Sequence, residues 1–258
     1  MLIDSHCHLD KVDAAPFGGS LSGILDAAAE QGVGGFLNVC IDLEHFDTVH
    51  DMALADERVW CSVGVHPTTT EGEEPTVERL CALGSREHVI AIGETGLDYY
   101  RIERDTADWQ RQRFRNHIRA AVELGKPLIV HTRSAREDTL RILQEEGAHR
   151  CRGIMHCFAE DWETASRAMD LGFVISFSGI LTFKSAEELR EVARRVPEDA
   201  MLVETDSPWL APVPFRGKPN HPALVRHVAE KLAEVRGVDF DTVALQTTRN
   251  FHHLFSLV

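Results

Sequence analysis

Short apolar, β-branched runs recur at a nearly constant interval along the chain. They predict strands at Met1–Asp4, Gly35–Ile41, Val59–Val65, Val89–Ile92, Leu128–Val130, Gly153–Met155, Phe173–Ser176 and Met201–Val203. From Met1 to Met201 the repeat averages about 29 residues, the length of one strand–helix unit of an α/β barrel. The stretches between the runs carry helical spacing. Leu21, Ile24, Leu25 and Ala28 share one stripe of a predicted helix over Leu21–Gln31, and Phe114, Ile118, Ala121 and Val122 do so over Trp109–Leu124. Ser185–Val196 opens with Ser185 as N-cap and Glu188 three residues later, a capping-box pattern. Two more helices are expected over Pro222–Arg236 and Asp239–Phe255.

Eight strands alternating with helices predict a parallel sheet that closes on itself. The expected fold is α/β, a single (β/α)8 TIM-type barrel forming one domain over residues 1–258. The competing arrangement, an open doubly wound sheet, normally carries a glycine-rich phosphate loop after its first strand, and none follows Ile3.

Reacting groups of such barrels sit where strands end. Here those ends read His6-Cys7-His8, Gly64-Val65-His66-Pro67, Gly93-Glu94-Thr95-Gly96-Leu97-Asp98, His131, His156 and Glu204-Thr205-Asp206, while the strand interiors are almost wholly apolar. Strand alternation turns both His6 and His8 into the mouth and Cys7 toward the helices. An H-x-H pair alone is a weak signal and equally fits two histidines bonded to loop carbonyls. Its recurrence with His131, His156, Glu94 and Asp206 at equivalent positions points instead to metal binding.

Four histidines and two carboxylates exceed one tetrahedral site. Two divalent cations (magnesium, manganese or zinc) sharing a carboxylate account for the surplus. His6, His8 and Asp206 are assigned to one, His131 and His156 to the other, and Glu94 to both. Asp206 then also accepts the proton of an attacking water, so Asp206 and Glu94 are the expected catalytic groups. Glu204 lies one layer deeper on the same face, as a supporting partner, and Asp98 holds a ligand histidine in its tautomer or caps the loop. His66 contacts a substrate phosphate or fixes the Pro67 loop. Arg133 pairs with a phosphate as a planar fork or bridges to Glu137 or Asp138. Tyr99, Tyr100, Phe158 and Trp209 either stack on bases at the rim or pack. The remaining histidines, His117 among them, are expected on the surface or satisfied, and Glu71–Glu74 as a solvated loop.

Charge narrows the partners. With 27 Lys and Arg against 41 Asp and Glu, the net charge is −14, so nothing in the overall field attracts phosphate. Bound cations would reverse the sign locally. Apolar residues at 43% and charged residues at 26% exclude a disordered chain. The six cysteines form no C-x-x-C pair and read as reduced, mostly buried thiols. No apolar run reaches membrane-spanning length, and Met1 leads straight into a strand pattern; the expectation is a cytoplasmic protein that binds no membrane. Oligomeric state is not read from the sequence, and a monomer is consistent with it.

The segments Asp4-Ser5-His6-Cys7-His8-Leu9-Asp10, Gly93-Glu94-Thr95-Gly96-Leu97-Asp98-Tyr99, His131-Thr132-Arg133, His156-Cys157-Phe158 and Glu204-Thr205-Asp206-Ser207-Pro208 resemble the signatures of the TatD-related deoxyribonucleases, within the amidohydrolase-like metal-dependent hydrolases. The resemblance runs from Ile3 to about Phe251 and includes Arg216-Gly217-Lys218-Pro219-Asn220; His221 departs from the family pattern. It implies a barrel, two divalent cations and hydrolysis of phosphodiester bonds in DNA, often as a 3′→5′ exonuclease. The family's ligands fall on His6, His8, Glu94, His131, His156 and Asp206. A single-stranded or frayed 3′ end of DNA is the expected partner. Two alternatives remain: an amide or ester hydrolase, such as an aminoacyl-tRNA deacylase, on the same barrel, and a metal-binding module without turnover. Many related barrels bridge their metals with a modified lysine, whereas Lys126 precedes the fifth strand instead of ending it.

Overall fold

The computed structural model describes residues 1–257. Eight parallel strands follow one another in sequence order around one sheet: β1 (Leu2–Cys7), β2 (Val33–Asn38), β3 (Val59–Val63), β4 (Val89–Asp98), β5 (Leu128–Arg133), β6 (Gly153–Met155), β7 (Phe173–Phe177) and β8 (Met201–Val203). Seven helices occupy the successive connections: α1 (Leu21–Ala29), α2 (Phe46–Ala55), α3 (Val77–Gly84), α4 (Asp108–Leu124), α5 (Arg136–Glu145), α6 (Trp162–Asp170) and α7 (Glu187–Arg195). Two more, α8 (Val225–Arg236) and α9 (Phe240–Phe255), follow β8. Cys7 bridges Ser207 in parallel, and the seam is completed by His8 N–H to Ser207 O and Asp206 N–H to His6 O, both 2.9 Å. The sheet therefore closes into the expected barrel. No helix among the described residues is long and apolar enough to cross a membrane.

Alternation sorts the strand side chains into two layers. Outward residues such as Phe36, Val63 and Val130 pack beneath Leu25, Leu80 and Ile118 of the helices. Inward residues Ile3, Leu37, Ala91, Ile129, Ile154 and Leu202 form a second cluster with Phe251, Leu254 and Phe255 of α9, which plugs the floor. Each of the buried Ile, Leu and Phe side chains contributes roughly 1.5–3 kcal/mol of transfer free energy.

Strict alternation is broken in β1, β2 and β4, and two of these breaks fall where chemistry is concentrated. Ile3 faces inward, so unbroken alternation would turn Cys7 inward and His6 out. A register irregularity between Asp4 and Cys7 resets the phase, and Cys7 packs in the outer layer. In β4 a second irregularity falls between Ile92 and Thr95 and turns Glu94 toward the mouth. The strand then runs on to Asp98, well past its expected end at Ile92, because Thr95 to Asp98 pair with Val130 to Arg133 of β5. Glycine permits this: a Cβ on Gly96 (φ 134°) would lie 2.0 Å from His131 O.

The start of α7 also departs from expectation. Ser185 is not its cap; Ala186 holds the N-cap position without a side-chain bond. Arg190 instead reaches back to the carbonyls of Leu181 (3.2 Å) and Phe183 (2.8 Å), organising that turn. The six cysteines are free thiols.

His117 of α4 is fully buried and satisfied as a neutral ring. Its Nδ1–H donates to Arg113 O (2.8 Å) and its Nε2 accepts the Val65 N–H (3.0 Å), fixing the segment that leads to His66. Burial pushes its pKa down to about 4. A depressed folded-state value stabilises the native state above the ordinary 6.5, and that stability drains away as pH falls toward 4. The advantage of wild type over His117→Gln in unfolding free energy should therefore shrink by about 3 kcal/mol between pH 7 and pH 4. Urea unfolding at several pH values measures it, and a pH-independent difference would contradict the assignment.

Candidate metal centre

The mouth of the barrel is a cleft of about 730 Å³ whose lining includes His8, His66, Glu94, His131, His156 and Asp206. His6 lies beneath it, fully buried. Glu94 is the hub. Its Oε1 lies 3.0 Å from His156 Nε2, 3.2 Å from His131 Nδ1 and 3.3 Å from His66 Nε2, while Oε2 lies 3.4 Å from His6 Nε2. Asp206 Oδ1 lies 3.6 Å from His8 Nε2 and 3.8 Å from His6 Nε2. The His6 and His156 rings stack at 3.8 Å between centroids. Three overlapping groups result, each with its donor atoms within 4.8 Å: His6, His8 and Glu94; His6, His156 and Asp206; His66, Glu94 and His131.

Outer partners set which ring nitrogens carry lone pairs. His8 Nδ1–H donates to Val39 O (2.8 Å), leaving Nε2 as the donor atom facing His6 Nε2 at 3.2 Å. Glu204 Oε1 lies 3.0 Å from His156 Nδ1 and also accepts the Cys157 N–H. Asp98 Oδ2 lies 3.2 Å from His131 Nε2, which leaves Nδ1 as the ring atom facing Glu94. His66 differs. The Thr68 N–H donates to its Nδ1 (3.1 Å), so the proton of the neutral ring sits on Nε2 and donates to Glu94. Its geometry is that of a hydrogen-bond donor to an anion, not of a metal ligand. Asp4, in β1, accepts from Thr205 N–H (2.8 Å) and Oγ1–H (2.6 Å) and so orients the Glu204–Asp206 turn; it stands in the Asp4–Asp10 segment, and the sequence pattern assigns it no role of its own.

Burial alone would raise the Glu94 carboxyl, but His156, His66 and His131 hold it well below the usual carboxylate range. Burial likewise opposes ionisation of Asp206, and His8, His156 and His6 outweigh it. Burial and the neighbouring His156 push the His6 imidazole down. Against burial, the hydrogen bond and charge of Asp206 push His8 up, Asp98 and Glu94 push His131 up, and Glu94 and Glu204 push His156 up, so the two anionic carboxylates are balanced by protons on these rings, which a divalent cation would displace. The Nε2 atoms of His6 and His8 stand 3.2 Å apart, and His6 Nδ1 and Glu204 Oε2 are buried without any partner. Converging imidazole nitrogens and carboxylate charge of this kind fit divalent cations of borderline hardness.

The rim side chains separate into two classes. Tyr100 and Trp209 are exposed, at 66% and 48%. The Arg133 guanidinium lies 3.9 Å from the Tyr100 ring centre, and Trp209 meets His8 edge-on at 5.1 Å. Arg133 does not bridge to Glu137 or Asp138, which are engaged by Arg167 and by Arg104 and Arg141. Phe158 is buried, and the Tyr99 hydroxyl donates to Asp138 (2.8 Å), so neither stands free to stack on a ligand. Of the acidic run, Glu73 pairs with Arg79 and Glu74 with Arg113, away from the centre.

Known proteins share this architecture. Residues 3–256 match the family model described as TatD related DNase. A metal-dependent hydrolase, YcfH, of Escherichia coli K12 is 49% identical over 256 residues, covering 99% of this chain and 96% of that protein. Another, YabD of Bacillus subtilis 168, is 38% identical over the full length of both. The crystal structure of YJJV, a TatD homologue from Escherichia coli K12, superposes with a TM-score of 0.89 at 28% identity, covering 99% and 98% of the two chains. Agreement over nearly every residue, on a barrel whose rim gathers metal-binding side chains, places the chain in the TatD-related DNase family, as a metal-dependent hydrolase.

Proposed function

We propose that the chain is a deoxyribonuclease that hydrolyses phosphodiester bonds in DNA, working 3′→5′ from single-stranded ends with two divalent cations. The observation that carries this reading is the convergence of four imidazoles and two ionised carboxylates on one cleft, in a family described as DNases. His6, His8 and Asp206 would hold one cation and His131 and His156 the other, with Glu94 shared between them. Such cations, when bound, neutralise phosphate charge and acidify water.

The protein's own groups do the rest. Asp206, ionised at the edge of the cluster, accepts the proton of the attacking water. Asp98 and Glu204 hold His131 and His156 in their tautomers. His66 offers its Nε2–H to a phosphate oxygen, and Arg133 offers a planar fork at the rim. A cleft walled by loops suits a flexible strand end better than a duplex. Lys126 supports phosphodiester over acyl chemistry: its ammonium is committed to the carbonyls of Gly84 and Val89, so it is not available as a bridging lysine.

The test is incubation with 5′-labelled single-stranded DNA and Mn²⁺ or Mg²⁺, beside an aminoacyl ester. Stepwise shortening from the 3′ end, abolished by chelator, is expected. No metal-dependent cleavage, or preferential hydrolysis of the ester, would overturn the reading.

A further inference from the structure

Most Lys and Arg side chains of this acidic protein are neutralised in ion pairs, for example Arg58 with Asp26 and Asp56, Arg113 with Glu74 and Arg115 with Glu145 and Glu146. Of the cations that pair with no carboxylate among the described residues, Lys126 and Arg236 are bonded to backbone carbonyls and others lie away from the mouth, but Arg101, Arg133, Lys184, Arg216 and Lys218 gather at one end of the barrel. All five stand on the loops that leave β4, β5, β7 and β8 at the mouth end of the barrel, or on the last residue of β5. The segments 178–186 and 207–221, which carry three of them, contain no Asp or Glu, although acids outnumber bases 41 to 27 over the whole chain.

The β7 and β8 segments form one ledge. Val213 N–H donates to Thr182 Oγ1 (2.9 Å), and a Cβ on Gly179 would lie 2.0 Å from Leu210 O. Asn220 clamps the β8 segment through its Nδ2, which donates to Thr205 O (2.9 Å) and to Trp209 O. The cations alternate with rings on this ledge: the Arg216 guanidinium lies 3.9 Å from the Phe183 ring centre and the Lys218 ammonium 5.8 Å from that of Phe215. Trp209 continues the row to the cleft, whose lining also includes Arg101 and Arg133 from the β4–β5 side. The opposite sector carries the Glu71–Glu74 loop.

We propose that this ledge is a binding track for single-stranded nucleic acid, holding the part of the strand remote from the bond being cut. Unpaired cations spaced between aromatic faces match a backbone of phosphates with bases free to stack, whereas a duplex presents no unstacked bases. The acid-free segments repel neither phosphates nor bases. The inference rests on the nuclease reading for its biological sense, but its test does not depend on that reading.

The experiment compares wild type with Arg216→Ala/Lys218→Ala, and with Arg216→Glu/Lys218→Glu, in Mn²⁺. Anisotropy with fluorescein-labelled phosphorothioate dT12 reports binding, and bis(p-nitrophenyl) phosphate reports hydrolysis at the centre without using the ledge. The alanine pair should weaken dT12 binding about tenfold and reduce the slope of log affinity against log salt by about 1.4, with a larger loss for the glutamates. Hydrolysis of the small diester should be unchanged, which also shows that the variants are folded. Unchanged dT12 affinity and slope, equal loss on both substrates, or equal binding of duplex or polyglutamate by wild type would overturn the track. Failure of wild type to cleave any phosphodiester would overturn the nuclease reading instead, while the anisotropy still decides the track.

Discussion

Replacing Asp206 with Asn should lower kcat on single-stranded DNA by about 10³-fold and leave KM nearly unchanged. The substitution keeps the shape of the side chain and removes its charge. In the native protein Asp206 faces His8 and His6 at 3.6 and 3.8 Å, and those imidazoles with His156 keep it ionised despite burial. An amide in its place neither takes up a proton nor supplies an anionic ligand. Folding should survive, because the bond that joins this residue to the barrel seam is its backbone N–H to His6 O. Steady-state kinetics beside thermal unfolding by circular dichroism separates the two effects. A variant within tenfold of wild-type turnover would remove Asp206 from the mechanism.

Glu94→Gln should produce the second large loss, this time in cation binding. Outer partners of metal ligands change affinity by about 10–100-fold when removed, so loss of the shared carboxylate itself should reach at least about 100-fold. Four imidazole nitrogens lie within 3.4 Å of the Glu94 oxygens, drawn from both halves of the cluster. Titration of the chelator-stripped protein with Mn²⁺, followed by electron paramagnetic resonance, measures this directly. Undiminished binding of two ions would refute the bridging assignment.

The strand repeat and the polar residues at strand ends made the barrel legible in the sequence, because a buried parallel strand is apolar until it leaves the core. The positions of His131 and His156 follow from simple alternation beyond Ile129 and Ile154. Those of His6 and Glu94 do not. Each lies beside a register irregularity, and a one-residue slip reverses the face a side chain occupies. Gly93 and Gly96 were the visible trace of the second irregularity. The proton on His66 Nε2 depended on the Thr68 amide, a contact no spacing rule contains. Tyr99 and Tyr100 are adjacent yet part company, one bonded to Asp138 and the other open beside Arg133, since neighbouring side chains leave a strand end in different directions. The cap expected at Ser185 failed because Arg190 organised the turn through backbone carbonyls.

The aromatic plug that α9 drives into the barrel floor has a consequence for how any polymer is processed. With no passage through the middle, a chain cannot be threaded from one end of the molecule to the other. On the proposed nuclease reading, substrate entry and product exit both take place on the mouth side of the barrel.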